Sequence, residues 1–371
     1  MLAVTLLEPY YGGSHKAWAD GYQRASQHNI VLQTLPAQAW KWRMQGGAVT
    51  LAREFMVSGQ RPDLILASDM MDLSIFRAIT RQMTHDVSHA LYFHENQLTY
   101  PQNSRQNHGW RYGFINYASA MSADALLFNS QYHMDVFFDV LPNMLKHFYD
   151  YNELDSVDRL RERASVLPVG MDLTRFDAYR VEKTSDVPLI VWNHRWEEDK
   201  NPALFLRTLY RLQERGIEFQ VAIVGENVRH SAPEFDDARM RLRDHLVHSG
   251  YVESFADYAR LLWRADYVIS TANQEFFGIA VAEAMYCGCV PLLPYRLNYP
   301  YLVPRNVYDG YLYRSDDKLF PLLLRHLQGE IKVDQSVLRE AVTQYDWLQM
   351  GPRYDAELTR LASGQRPASG L

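Results

Sequence analysis

Cysteine is almost missing from this 371-residue chain: the two present, Cys287 and Cys289, stand one residue apart. They are too close for an ordinary disulfide and too few for a structural zinc site, so both read as small buried strand residues. No uncharged apolar run reaches the roughly 18 residues that a membrane-spanning helix needs. Residues 1–8 carry no basic segment ahead of their apolar run, so a cytoplasmic protein with no membrane partner is expected. No Asp-x-Asp triplet occurs, which removes the carboxylate pair that usually holds a metal in enzymes using nucleotide sugars, and no metal or other cofactor is expected. Acidic residues are absent from 21–53 and again from 96–123, although the whole chain carries a formal charge of −6. That balance argues against a protein that coats nucleic acid without specificity, and leaves room for a local basic surface.

What is present is enough for two domains with substantial cores: 47% of residues are hydrophobic and 13% aromatic. Short apolar runs at 2–7, 30–35, 64–67, 90–93 and 125–128 alternate with helix-like stretches. The pattern resumes at 188–193, 219–225, 267–270 and 289–293. Strands alternating with helices predict two mostly parallel, doubly wound sheets. The division expected is a first domain over 1–170, a linker over 171–186, a second domain over 187–344, and a last helix and tail over 345–371 that could cross back to the first.

Chemistry should gather where the strands end, because open α/β sheets bind ligands at the carboxyl edge of their strands. After the first run comes Tyr10-Tyr11-Gly12-Gly13-Ser14-His15-Lys16. Here two glycines admit close approach of a ligand, while aromatic rings, a hydroxyl and a cation share one loop. A bare pair of glycines is equally a plain tight turn, and it is not the dinucleotide-binding Gly-x-Gly-x-x-Gly. After the fourth run comes His94-Glu95-Asn96-Gln97, four hydrogen-bonding side chains in succession. Asn129 and Ser130 end the fifth run, where Ser130 serves better as a helix N-cap than as a ligand residue. Trp40, Lys41, Trp42 and Arg43 alternate aromatic with basic, and Arg105, Trp110 and Arg111 cluster in the other acid-free stretch. Such interleaving suits phosphate neutralisation with base stacking, and also suits an ordinary surface over buried tryptophans.

In the second half, Arg195 and Lys200 follow the first strand and could neutralise a diphosphate as a metal would. Glu275 and Glu283 stand eight positions apart across Gly278, the first on a strand-to-helix turn and the second inside the helix. A glycine-bearing turn that opens a helix offers free N–H groups and a positive dipole end to a diphosphate. Carboxylates beside it would accept from sugar hydroxyls.

The Glu275/Glu283 spacing, with Phe277-Gly278 before the helix and Gly288-Cys289-Val290-Pro291 after it, resembles the Glu-x7-Glu element of retaining GT-B glycosyltransferases of family 4. Asn201 follows Lys200 where that family commonly has glycine. A narrower resemblance rests on Tyr10 to Lys16, Tyr92 to Pro101, and Phe128 to Gln131, which look like the tRNA-queuosine alpha-mannosyltransferase family. It implies an α/β GT-B fold of two doubly wound Rossmann-like domains with a cleft between them. It also implies transfer of mannose from GDP-mannose to the cyclopentenediol of queuosine at the wobble base of tRNA-Asp, with retention. His94, Arg195, Lys200 and Glu275 would be the catalytic set. Gly12, Gly13, Phe277, Gly278, Ile279 and Glu283 would complete the donor site, with Glu283 on the nucleotide ribose. Tyr11, Ser14, His15, Lys16, Glu95, Asn96 and Gln97 would meet the acceptor, and Lys41, Arg43, Arg105 and Arg111 its tRNA. The competing expectations are a related transferase with another sugar donor and a glycan or lipid acceptor, a catalytically silent RNA-binding module, and a nucleotide-sugar epimerase.

Overall fold

The computed structural model describes residues 1–99, 109–147, 149–226, 234–332 and 334–364. The chain divides into two compact units, residues 1–171 with 347–371, and residues 172–346.

The first unit holds β1 (Ala3–Tyr11), β2 (Asn29–Pro36), β3 (Leu64–Ser68), β4 (Ser88–Phe93), β5 (Ala125–Phe128) and β6 (Ala164–Val166). They form one parallel sheet in the order β2-β1-β3-β4-β5-β6. Every residue of β3 and of β5 is buried, as expected for strands covered by helices on both faces. The strand order reverses between β1 and β3, so the ends of these two strands form the switch point at which such sheets leave a crevice. A register shift between Glu8 and Tyr11 marks a bulge that turns the end of β1 out of plain pairing with β2.

The last helix, Trp347–Ala362, belongs to this unit. It lies on the helix Gly13–Ala25, where Tyr354 accepts from Trp18 Nε1 at 3.0 Å and Asp355 accepts from the Tyr22 hydroxyl at 3.0 Å. The Tyr354 hydroxyl also donates towards Tyr92 Oη at 2.8 Å and the Pro168 carbonyl at 3.0 Å. Trp347 closes the packing. A Cβ on Gly21 or Gly170 would come within 2.0 or 2.5 Å of its ring, so both positions need glycine for close approach.

The second unit holds β7 (Leu189–Asn193), β8 (Gln220–Val224), β9 (Leu246–Gly250), β10 (Tyr267–Ile269), β11 (Val290–Pro294) and β12 (Leu312–Tyr313). Their order is β12-β11-β10-β7-β8-β9, again parallel, with the reversal between β10 and β7. Residues 172–186, expected as a linker, pack on this unit instead. Phe176 is buried against Phe255 with its carbonyl accepting from Trp263 Nε1, and Lys183 pairs with Asp266 at 2.7 Å. The polar composition of the segment hid these few anchoring side chains. Cys287 and Cys289 are buried free thiols flanking the turn between the helix Ile279–Tyr286 and β11.

Candidate active site

The second unit brings Lys200, Glu275, Gly278 and Glu283 to the carboxyl ends of β7 and β10. Lys200 is buried; its Nζ donates to the Gln274 carbonyl at 2.6 Å and lies 3.1 Å from Asp199 and 3.7 Å from Glu275. The cation is not a loose loop charge: it is aimed by the β10 loop and shared between two carboxylates. Arg195, by contrast, has a side chain 54% exposed, with Glu197 at 3.4 Å. Glu275 is half-buried and accepts from the Phe277 N–H at 3.4 Å, which fixes it on the turn. Gly278 caps the helix Ile279–Tyr286 at φ +99°, a left-handed value that side-chain-bearing residues adopt at a cost. That cap presents the N–H groups of the first helical turn, Ile279 among them, with no acidic residue in the turn to compete for them.

Glu283 sits one turn along the same helix. Asn193, the last residue of β7, donates to the Ala280 carbonyl at 2.8 Å and to the Tyr258 hydroxyl at 3.2 Å. Tyr258 in turn donates to Glu283 at 2.7 Å. Burial pushes the Glu283 carboxyl up to about 7, and the Tyr258 bond only partly offsets it. Asn193, Tyr258, Asp199 and Gln274 were all missed in the sequence. Asn193 alone carried a signal, since it ends a strand.

In the first unit the ends of β1, β3 and β4 meet around His15 and His94. Glu8, fully buried on β1, accepts from the Tyr10 N–H at 2.8 Å and pairs with His15 Nδ1 at 3.0 Å. Burial alone would pull the His15 imidazole down, but Glu8, with Asp69 and Glu95, lifts it to about 9, so it is an imidazolium at neutral pH. His94 is displaced the other way. Burial, the nearby His15 charge and His133 hold it well below its ordinary value, and it stays neutral. Its ring lies 4.3 Å from that of His15 and 4.5 Å from that of Trp18. The His94 N–H donates to Asp69 at 2.8 Å, and its carbonyl accepts from Asn129 at 2.8 Å. Ser130 caps the helix Gln131–Leu145 by accepting from the His133 N–H at 3.1 Å.

The loop after His94 is organised by its own amides. Asn96 accepts from the N–H groups of Leu98 and Thr99, and Gln97 donates to Glu95 at 2.8 Å. Gly12 and Gly13 open the helix Gly13–Ala25, and Ser14 is exposed on its first turn. Tyr11 and Lys16 are both bonded to Asp20, which places them on the outer side of that helix, engaged with each other. Glu8 and Asp69 were not picked out from the sequence, although each is an acid at a strand end.

The two acid-free stretches come together on this unit. Arg111 and Tyr112 both bond Gln45, and Trp40 lies 5.1 Å from Tyr112. Trp42 is 61% exposed, with Lys41 exposed and Arg43 half-buried beside it. Next to them is a cavity of about 620 Å³ with Trp110, Arg111, Phe114 and Ile115 in its lining. Arg105 lies outside the described residues. Among the described residues, one group has donor atoms close enough for a metal ion, Glu8, His15 and His94, all within 4.8 Å of one another. No described helix is long and apolar enough to cross a membrane.

Comparison with known proteins matches both units. Residues 3–171 fit the model of the tRNA-queuosine alpha-mannosyltransferase N-terminal family, and residues 176–318 fit glycosyl transferases group 1. A Drosophila melanogaster protein described as tRNA-queuosine alpha-mannosyltransferase is 33% identical over 316 residues, covering 82% of this chain and 83% of that one. Among solved structures, Anabaena HepE in complex with UDP and glucose superposes with a TM-score of 0.66 at 14% identity, over 97% of this chain and all of that one. The catalytic domain of Arabidopsis thaliana starch synthase IV gives 0.69 at 11% identity, over 98% and 99%. A sucrose-phosphate synthase from Thermosynechococcus elongatus gives 0.68 at 13%, also over 98% and 99%. At these identities the solved structures show the fold, which is GT-B.

Proposed function

Because the chain belongs to the tRNA-queuosine alpha-mannosyltransferase family and is a glycosyltransferase, we propose that it moves mannose from GDP-mannose to queuosine at the wobble position of tRNA-Asp. The sugar keeps its anomeric configuration and no metal takes part. The observation that carries this reading is the grouping of Lys200, Glu275, the Gly278 helix start and Glu283 at one sheet edge. In it, Glu283 accepts from both ribose hydroxyls, while the helix N–H groups and Lys200 meet the diphosphate. As the bond between the sugar C1 and the phosphate oxygen breaks, negative charge grows on the leaving group. Preorganised donors stabilise that charge without reorganisation. An acceptor hydroxyl then bonds to C1 from the face the diphosphate leaves, and its proton passes to the departing phosphate oxygen. Glu275 holds the sugar.

Lys200→Ala should lower turnover by roughly 10²–10³-fold, the range for losing one such donor, and EDTA should leave the wild-type rate unchanged. Loss of activity in EDTA, restored by magnesium or manganese, would overturn the metal-free mechanism.

A further inference from the structure

Around His94 the charges do not close. Glu8 spends both oxygens, one on the Tyr10 N–H and one on His15, so Glu8 and His15 form a complete ion pair. Asp69 and Glu95 remain. Asp69 is fully buried on the loop after β3, and only its Oδ1 is used, by the His94 N–H; Oδ2 has no hydrogen-bond partner. Glu95 is half-buried on the loop after β4 and accepts from Gln97. Glu95 follows His94, whose N–H is bonded to Asp69, and burial first and then the Glu95 charge hold the Asp69 carboxyl well above the ordinary range. An unpaired buried carboxylate oxygen is costly, and a second carboxylate beside it adds to the cost.

We infer that Asp69 and Glu95 form a cation-binding subsite that takes an organic ammonium group of the acceptor, donating its N–H groups to Asp69 Oδ2 and to Glu95. This rests on the acceptor reading above and deepens it. Queuosine carries its cyclopentenediol on a 7-deazaguanine through a secondary amine, which is protonated at neutral pH, and guanine has no such group. A divalent metal fits less well. The one described set with donor atoms in range is Glu8, His15 and His94. There the metal would have to break the Glu8–His15 ion pair and displace a proton from an imidazolium stabilised to about 9. An ammonium disturbs neither, because its N–H groups favour the charged form of the Asp69 and Glu95 carboxyls, which then accept. The placement also follows from topology, since β3 and β4 are neighbours and β3 borders the switch point.

The test is calorimetric titration of wild type, Asp69→Asn and Glu95→Gln with queuosine nucleoside and with guanosine, beside initial rates on queuosine-containing tRNA-Asp. Both variants should weaken queuosine binding and raise KM for the tRNA by about 10- to 100-fold, the scale of a lost charged hydrogen bond. GDP affinity and any binding of guanosine should not change. Should Asp69→Asn fail to fold, Glu95→Gln alone decides, since that side chain is half-exposed. Wild-type queuosine affinity in the folded variants would overturn the subsite, as would queuosine binding that appears only when zinc is added. If wild type puts no mannose on the tRNA at all, the acceptor reading falls with it; if wild type transfers and the variants match it, only the subsite falls.

Discussion

Burial pushes the Glu283 carboxyl up to about 7, so near neutral pH this residue is divided between charged and neutral forms. Its folded value lies above the ordinary 4.5, so the stability that the neutral form gives is fully present below pH 4.5 and is lost as pH rises through 7. In the proposed donor site ribose hydroxyls would donate to the charged form, so nucleotide binding should have the opposite slope and strengthen as pH rises through 7. Glu283→Gln separates the two effects. It should weaken GDP by about 1–3 kcal/mol at pH 8 while leaving the ligand-free melting temperature there no lower than wild type. Calorimetry with GDP and a melting scan at the same pH check this; unchanged GDP affinity would mean the residue does not touch the nucleotide. At this scale the sequence was informative for residues that end a strand or follow a glycine turn: His94, Lys200, Glu275 and Glu283 all lie where the strand-end rule puts them. It was silent on Tyr258, whose role comes from packing between segments distant in the chain, while Asp69 stood at a strand end and was passed over.

Elements show the same division. Most of the strands legible in the sequence lie inside a sheet, where burial on both faces demands unbroken hydrophobic runs, and the edge strand β2 was legible as well from its run 30–35. β6 and β12 are three and two residues long, and β9 reads Leu246-Val247-His248-Ser249-Gly250 with most of its residues only half-buried. All three lie at sheet edges, where composition is less constrained and little apolar pattern remains to be read. The helix Trp347–Ala362 was visible as a helix, but not its seat, because that depends on Gly21 and Gly170 making room for one indole. Trp347→Ala empties that space and should cost about 3–5 kcal/mol, read as a lower midpoint in urea. A loss under 1 kcal/mol would show that the helix holds its place through Tyr354 and Asp355 alone.

For the whole molecule, a net charge of −6 coexists with a surface on which two acid-free stretches meet, and only the fold joins Trp40, Lys41 and Arg43 with Tyr112 and Arg111. Phosphate contacts there should make tRNA binding fall with salt despite the global charge, at a slope of about −0.7 per phosphate for a single-stranded loop. Changing Lys41, Arg43 and Arg111 together to Ala should weaken tRNA binding and flatten that slope while GDP affinity stays intact. Equal slopes in variant and wild type would move the tRNA contact elsewhere.

Transfer of mannose to one modified base is open to a direct measurement. Labelled GDP-mannose is incubated with tRNA-Asp carrying queuosine and with the same tRNA carrying guanine at the wobble position, and label in each RNA is counted. Label is expected only on the queuosine form, with the sugar anomer of the product nucleoside matching that of the donor. Equal label on both RNAs, or none on either, contradicts it.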